Sequence, residues 1–484
     1  MQREETDSIG TMQLPYDALY GIHTLRAHEN FPASIPFHQA WYCAIGLTKL
    51  AVFQTYKQFK QGISQKYPNR NINLKLIEDD HLSALEQAAT EVSEAKHFQH
   101  FLVPAFQGGA GTSINMNINE IITNRSLQLL GQSPGNYRII DPIEHANIYQ
   151  STNDVIPTSL KVAAIKRLQQ LETAINAMRQ ALEGQEAEHR NTLRNAYTQL
   201  QLATPSSYGR LFSSYNEALS RDWWRISKCF ERIKTVNLGG GAAGTSLSIP
   251  RFMVMESVRT LQRLTGLPIT RSENLHDTTA NIDSLVEVHG MLKAHAVNLE
   301  KMGGDLRLLA SDLVAQQEVT IPKRQTGSSI MPGKINPVIP EYLVGIAQQV
   351  YSNDTAIANL AARGHLDLNA NLPFIGHWLL QSLDLLIAAN TTCQQHLIMG
   401  LQVNVDKAQA HTYKNPSITT ALIPFIGYNK AAELAQTMKE KKYDIFTANK
   451  QLQLLSDKEL RKHLKPEHLL QQGFTINQLL HNNE

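Results

Sequence analysis

The sequence predicts a mostly α-helical protein built around a central bundle of long helices. Apolar residues recur in a 4-3-4-3 rhythm through Ala164, Leu168, Leu171, Ile175, Met178 and Leu182, one stripe along a long helix after Pro157. The rhythm returns at Leu219, Trp223, Ile226, Phe230 and Ile233. It runs longest through Leu285, Val288, Leu292, His295, Leu299, Met302, Leu306, Leu309 and Leu313, where a helix would be roughly 42 Å long. A fourth stripe holds Leu343, Ile346, Val350, Ile357 and Leu360, with Asn353 in its gap. Long helices sharing a 3.5-residue period form elongated bundles, and stripes this narrow also pack against other subunits. A homo-oligomer joined through these helices is the expectation.

The pattern divides the chain in three. Residues 1–150 are mixed but mainly helical, broken by Gly, Pro and Asn; residues 151–405 carry the long helices. From 406 to 484 the elements become shorter and more charged, as at Lys439–Lys442 and Lys458–Lys465, which reads as a small C-terminal helical domain. A chain of 484 residues is too long for one ordinary core. With 42% apolar and 18% charged residues it is a folded globular chain. Its 45 basic and 43 acidic residues leave a net charge of +2, too even for a nucleic-acid or anionic-membrane surface. Cys43, Cys229 and Cys393 lie far apart, without a CxxC or a His/Cys ligand spacing, so neither a metal site nor a disulfide framework is expected. The N-terminus lacks an apolar signal region, and no apolar run of about 18 residues stands out. The expectation is a cytoplasmic protein with no membrane span.

Between the helices lie polar, glycine-containing segments with more hydrogen-bond donors than a core needs. Gly327-Ser-Ser-Ile-Met-Pro-Gly-Lys-Ile-Asn-Pro337 sets two adjacent hydroxyls, a lysine and an asparagine in a loop. Taken without those donors, such a stretch is an ordinary surface connection. Gln107-Gly-Gly-Ala-Gly-Thr-Ser-Ile-Asn-Met-Asn-Ile-Asn-Glu120 could cradle a phosphate, but it lacks the lysine of a P-loop. Gln150-Ser-Thr-Asn-Asp154 reads as a helix start, with Asn153 or Asp154 as the cap before Pro157. A helix start also binds carboxylates through its free N–H groups, so the two readings are compatible.

Taken in order, these segments resemble the aspartase/fumarase superfamily. GSSIMPGKIN follows that superfamily's loop pattern GSSxMPxKxN, and GAGTSINMNINE, QSTND and GIHTLRAHENF resemble its aspartase forms. Fumarases carry QSSND and GxQTxRSxxNF instead. Asn237–Thr245 and Pro424–Tyr428 resemble further segments, so the likeness covers nearly the whole chain.

The resemblance implies a three-domain fold and a tetramer whose active sites combine segments of three chains. It implies no cofactor and a small dicarboxylate substrate: L-aspartate would lose a Cβ proton, pass through an aci-carboxylate, and leave as fumarate and ammonia. By the same resemblance Ser328 is the base. Thr112, Ser151, Thr152, Asn153, Thr198, Gln199, Ser329, Lys334 and Asn336 would bind the substrate. Many members place a histidine at the position of Gln199, which sets fumarase third. The chain departs from the family's LQDAxPxxxGQEF stretch, with Leu202, Arg210 and Leu211 in place of an acid, an amide and an acid. That keeps open a lyase acting on an N-substituted aspartate, with Arg210 as the residue to suspect. His145 and His295 read as structural, and His289 is open.

Overall fold

The computed structural model describes residues 2–32, 35–68, 72–315 and 317–479. Among the described residues it is dominated by helix, as the stripes require, and the four sheets are all two-stranded. In chain order, the hairpin β1 (Gln2–Thr6) and β2 (Thr11–Pro15) precedes α1 (Ile22–Asn30), α2 (Gln39–Lys66), α3 (Asp79–Ser93) and α4 (Thr112–Leu129). The first long helix, α5 (Thr152–Glu188), leads into the hairpin β3 (Leu193–Thr198) and β4 (Gln201–Ser207), then α6 (Tyr208–Ile233). Next come β5 (Thr235–Val236), α7 (Arg251–Thr265), β6 (Thr270–Arg271), α8 (Leu275–Ala280) and α9 (Asp283–Leu309). Then β7 (Val319–Thr320), α10 (Val338–Ala361), α11 (Leu372–His396), β8 (Gln402–Val403) and α12 (Val405–Lys414) follow, with five short helices between Ile423 and Leu469.

The chain packs as two compact units. One comprises Met1–Glu172, Trp224–Ala294 and Gln348–Ile387; the other comprises Thr173–Trp223, His295–Ala347 and Ala388–Glu484. In the first unit a single buried carboxylate ties two of the segments singled out above. Glu120 on α4 accepts the backbone N–H of Gly21, His23 and Thr24, and the Thr24 hydroxyl, at 2.5–3.2 Å. Burial pushes its pKa up to about 7 against those donors. Glycine at position 21 leaves room for this side chain, because a Cβ there would lie 2.7 Å from the Glu120 carboxyl and the Tyr137 hydroxyl and would push them aside. The GIHTLRAHENF segment is therefore built to receive this side chain. His289 is fully buried between Asp354 Oδ1 at 3.1 Å and Ser382 Oγ at 2.8 Å, which settles it as an interior residue.

In the second unit His295 is equally buried, its Nδ1 2.9 Å from Asp222 and its Nε2 accepting from Asn390 at 2.8 Å. A second core of Ile418, Leu422, Leu434, Met438, Ile445, Leu460 and Leu464 holds the short C-terminal helices together.

All six residues of the first stripe are buried. The third overshoots: α9 ends at Leu309, and Leu313 is 87% exposed beyond it. α11 corrects a second expectation, because by length and composition alone it could cross a bilayer. Ile375, Leu379, Leu383, Leu386 and Cys393 are fully buried within the protein, and Ser382 and Asn390 hydrogen-bond the two histidines above, so α11 is a core helix.

Replacing Leu292, fully buried on α9, by alanine should cost about 2–5 kcal/mol of unfolding free energy. Leu313→Ala should stay within about 0.5 kcal/mol. Urea denaturation followed by circular dichroism distinguishes the two; equal losses would place Leu313 in the helix seam after all.

Candidate active site

Two helix starts adjoin in the first unit. Gly111, at φ +89, turns the chain into α4, so Thr112 stands exposed on its first turn. The Asn115 amide reaches across to Thr152 Oγ1 at 3.3 Å, on the first turn of α5. It also donates to Asn147 Oδ1 at 3.0 Å, which takes a second bond from the buried Lys49 ammonium at 3.1 Å. Burial pulls the Lys49 pKa down to about 7. The positive ends of two helices thus adjoin, with the Thr112 and Thr152 hydroxyls on their first turns. Positive helix ends of this kind favour a carboxylate.

The start of α5 differs from its sequence reading. The helix begins at Thr152, five residues before Pro157, and Ser151 is its cap. Ser151 Oγ accepts from Asn153 N at 3.2 Å, while Asp154 Oδ1 accepts from Ser151 N at 2.9 Å, a reciprocal capping arrangement. Pro157 therefore lies inside the helix, where it offers no N–H to the carbonyl four residues back. That carbonyl belongs to Asn153, and Asn237 Nδ2 fills the place at 2.9 Å.

The segment after β5 is bound to this helix start at three further points. Gly239 N and Gly241 N donate to Asp154 Oδ2 at 3.2 and 3.0 Å, and Asn153 Nδ2 donates to Ala242 O at 2.7 Å. Asp154 is fully buried, and burial raises its pKa to about 6 against the pull of the three N–H groups and Lys49. Gly244, at φ +72, lies against the backbone of His276, where a Cβ would come within 2.3 Å.

The second unit carries the remaining residues. Thr198 and Gln199 stand exposed at the end of the β3–β4 hairpin. Its two-residue turn, Gln199 and Leu200, has φ +52 and +60, the geometry that Asn-Gly usually supplies. Holding two ordinary side chains there costs about 1 kcal/mol or more each, so the turn is kept against its own preference. Gln199 borders a cleft of about 380 Å³ with Leu211, Arg194, Tyr215 and Lys301.

Arg210 does not join them. Its guanidinium donates to the carbonyl of Leu470, which leaves Leu211 as the substituted residue beside Gln199. In the loop, Ser328 Oγ accepts two backbone N–H groups, from Ile330 at 3.2 Å and Met331 at 2.9 Å. Gly327 N bonds Lys334 O at 2.8 Å, and Asn336 Nδ2 bonds Gly327 O at 2.8 Å, closing the neck of the loop. Ser329 and Lys334 are exposed on it.

The chain matches a family described as Lyase over residues 10–352, and one described as Fumarase C C-terminus over residues 418–471. It is 34% identical over 483 residues to the aspartate ammonia-lyase of Bacillus subtilis, covering 99% of this chain and 98% of that one. To the aspartate ammonia-lyase of Escherichia coli K12 it is 36% identical over 429 residues, covering 88% and 87%. The solved fumarate lyase:delta crystallin of Brucella melitensis superposes with a TM-score of 0.90 at 33% identity, covering 98% of this chain and all of that one.

The chain belongs to the aspartase/fumarase superfamily. Its mostly α fold is that superfamily's fold. Within each unit, segments resembling the superfamily's own are brought together: Thr112, Ser151, Thr152 and Asn153 at the helix starts, and Ser328, Ser329, Lys334 and Asn336 on one loop. Of these, Asn153 spends one amide proton on Ala242 and Asn336 spends one on Gly327, so each keeps a single remaining amide N–H. Sequence reasoning missed Lys49, Asn115, Asn147 and Asn237, which hold the helix starts in place. Asn115 and Asn237 stood inside superfamily-like segments, whereas nothing in the pattern marked Lys49.

His145 Nδ1 accepts from Asp141 N of its own turn at 2.9 Å, and burial lowers its pKa. Glu78, Asp80 and His81 bring three ligand-type atoms within 4.8 Å of one another. The Asp80 carboxylate there accepts a backbone N–H of its own turn.

A buried carboxylate with a raised pKa favours the folded state while protonated, and that contribution is lost as pH rises through the folded value. The stability advantage of the wild type over Asp154→Asn should therefore shrink by about 3 kcal/mol between about pH 4 and pH 6. Urea midpoints of the two proteins across that range test it, and an advantage that grows with pH would reverse the sign assigned to Asp154.

Proposed function

We propose that this protein eliminates ammonia from L-aspartate to give fumarate. Superfamily membership supplies the coarse statement, a lyase acting on a small dicarboxylate. The observation that carries the finer one is the likeness to aspartate ammonia-lyases over nearly the whole chain, and the setting of Ser328 supports the elimination chemistry. A serine hydroxyl is a poor base unless its alkoxide is stabilised, and two backbone N–H groups already point at its oxygen. Lys334, on the same loop, adds positive charge.

Ser328 then takes the Cβ proton, and the electron pair moves onto the neighbouring carboxylate as an aci-carboxylate. Neutral donors aimed at those oxygens suit that charge best, each worth roughly 3–4 kcal/mol in a preorganised site. Thr112, Ser151, Thr152 and Ser329 supply hydroxyls, with the helix starts behind the first three. Thr152 Oγ1 and Ser151 Oγ already accept hydrogen bonds, which leaves the proton of each free to donate. Lys334 and Asn336 hold the other carboxylate, Asn153, Thr198 and Gln199 complete the pocket, and the amine leaves as the Cα–N bond breaks.

The same reading includes a cytoplasmic homotetramer whose active sites each draw on three chains. It divides the chain at 1–150, 151–405 and 406–484. The separate core of the C-terminal helices and the separate family match over 418–471 support the last boundary. Neither nucleic acid nor a membrane is a partner. With Arg210 bonded to Leu470 O, the alternative of an N-substituted aspartate loses the residue that suggested it.

Purified protein should release fumarate from L-aspartate, read by ultraviolet absorbance, and leave L-malate and N-substituted aspartates largely untouched. Ser328→Ala, still folded and of wild-type assembly, should lose about 100-fold or more in kcat. Turnover of a substituted amine but not of L-aspartate would move the assignment to the alternative, and an active Ser328→Ala would remove Ser328 as base.

A further inference from the structure

The stem of the Ser328 loop rests on one buried carboxylate that none of the chemistry above uses. Glu318, 2% exposed, stands just before β7 and is bonded through both oxygens. Tyr208 Oη donates to Oε2 at 2.7 Å, and His411 Nδ1 lies 2.5 Å from Oε1. The Glu318 carbonyl accepts from Asn404 N at 2.8 Å. Tyr208 directly follows β4, so the hairpin that presents Thr198 and Gln199 ends at this carboxylate. His411 brings in α12. Burial, reinforced by the Glu318 charge, pushes the Tyr208 phenol far above its ordinary pKa and keeps it a donor.

From Glu318 onward the stem is fastened along its length. Val319 and Thr320 pair with Val403 and Gln402, and Pro322 packs so closely on Gly400 that a Cβ there would lie 2.7 Å away. Arg324 donates to the carbonyls of His396 and Gln395 at 3.1 and 2.9 Å. Past Arg324 the bonds of Gly327, Ser328 and Asn336 are made within the loop itself, and Ile330 is 84% exposed at its tip.

We propose that Glu318 is a positioning residue, which fixes the stem of the Ser328 loop and the Thr198–Gln199 hairpin to one shared point. Only the tip beyond Arg324 is then left to adjust to substrate. The proposal rests on the reading of Ser328 as base. Removing the carboxylate takes away the one point that the two segments share while their other bonds remain. It thus loosens their mutual placement without touching any group that meets the substrate, and it misplaces the chemistry while leaving binding nearly intact. Misplacement by about 1 Å costs on the order of 100-fold in rate.

The test uses full-length Glu318→Ala, Glu318→Gln and Tyr208→Phe, with two readouts. One is the rate of trypsin cleavage after Lys323 and Arg324 in the stem, against cleavage after Lys334 in the tip. The other is kcat and KM for L-aspartate. Glu318→Ala should speed stem cleavage by about tenfold while tip cleavage stays unchanged. Its kcat should fall about 10- to 100-fold with KM within about threefold. Glu318→Gln keeps a hydrogen-bonding group for each partner and should restore most of both. Should Glu318→Ala fail to fold, Tyr208→Phe removes one arm alone and should shift the same two readouts in the same direction, by less.

Stem cleavage at the wild-type rate in every variant would overturn the proposal, as would an alanine variant whose losses glutamine does not restore. A wild type that releases no fumarate from L-aspartate would overturn the functional reading instead, and the cleavage rates would still decide the role of Glu318.

Discussion

A proline inside a helix, and the asparagine that answers it, organise the candidate carboxylate site. Pro157 leaves the Asn153 carbonyl without its helical partner, and Asn237 fills the gap. That one bond brings the segment after β5 onto the start of α5, where Asp154 collects the N–H groups of Gly239 and Gly241. An unanswered carbonyl or an unbonded Asp154 would be costly in an interior this dry, so the arrangement is all or nothing. Thr112, Ser151 and Thr152 stay at the surface because the groups behind them are fully committed.

On the proposed reading the second unit solves a different problem, since its loop must hold a base and still be accessible. Ser328 gets local help from two N–H groups of its own loop, while anchoring is delegated to the stem. The Gln199–Leu200 turn adds a strained element at the far end of the hairpin. Strain of this kind persists where the surroundings over-determine a conformation. Here β4 runs straight into Tyr208 and its bond to Glu318, and Asn415 Nδ2 holds Asn195 and the Ala203 carbonyl at 2.9 Å each.

The sequence showed the helices well because a stripe such as Ala164 to Leu182 has no other economical explanation than one buried helical face. It misjudged their ends. Leu313 keeps the rhythm of Leu306 and Leu309 but lies past the last turn, and neither Gly nor Pro marks the stop. The sequence points to Asn153 or Asp154 as the cap of α5, with Pro157 in its first turn, whereas the reciprocal bonds of Ser151 and Asp154 set the cap at Ser151, two or three residues earlier. Most of the candidate site was legible through its resemblance to a known superfamily, residue by residue. What supports it was not: Lys49, Asn147 and Glu318 act through partners 98, 98 and 110 or fewer residues away in the chain, and periodicity carries no record of such contacts. Arg210 shows the opposite failure, a conspicuous charge whose partner is a backbone carbonyl.

The most direct test is a crystal structure of Ser328→Ala soaked with L-aspartate. One substrate carboxylate should lie at the starts of α4 and α5, within hydrogen-bond distance of Thr112 and of Ser151 or Thr152, with its Cβ facing residue 328 of the loop. Aspartate bound elsewhere, or with both carboxylates away from those helix starts, would contradict the assignment of this surface as the carboxylate site.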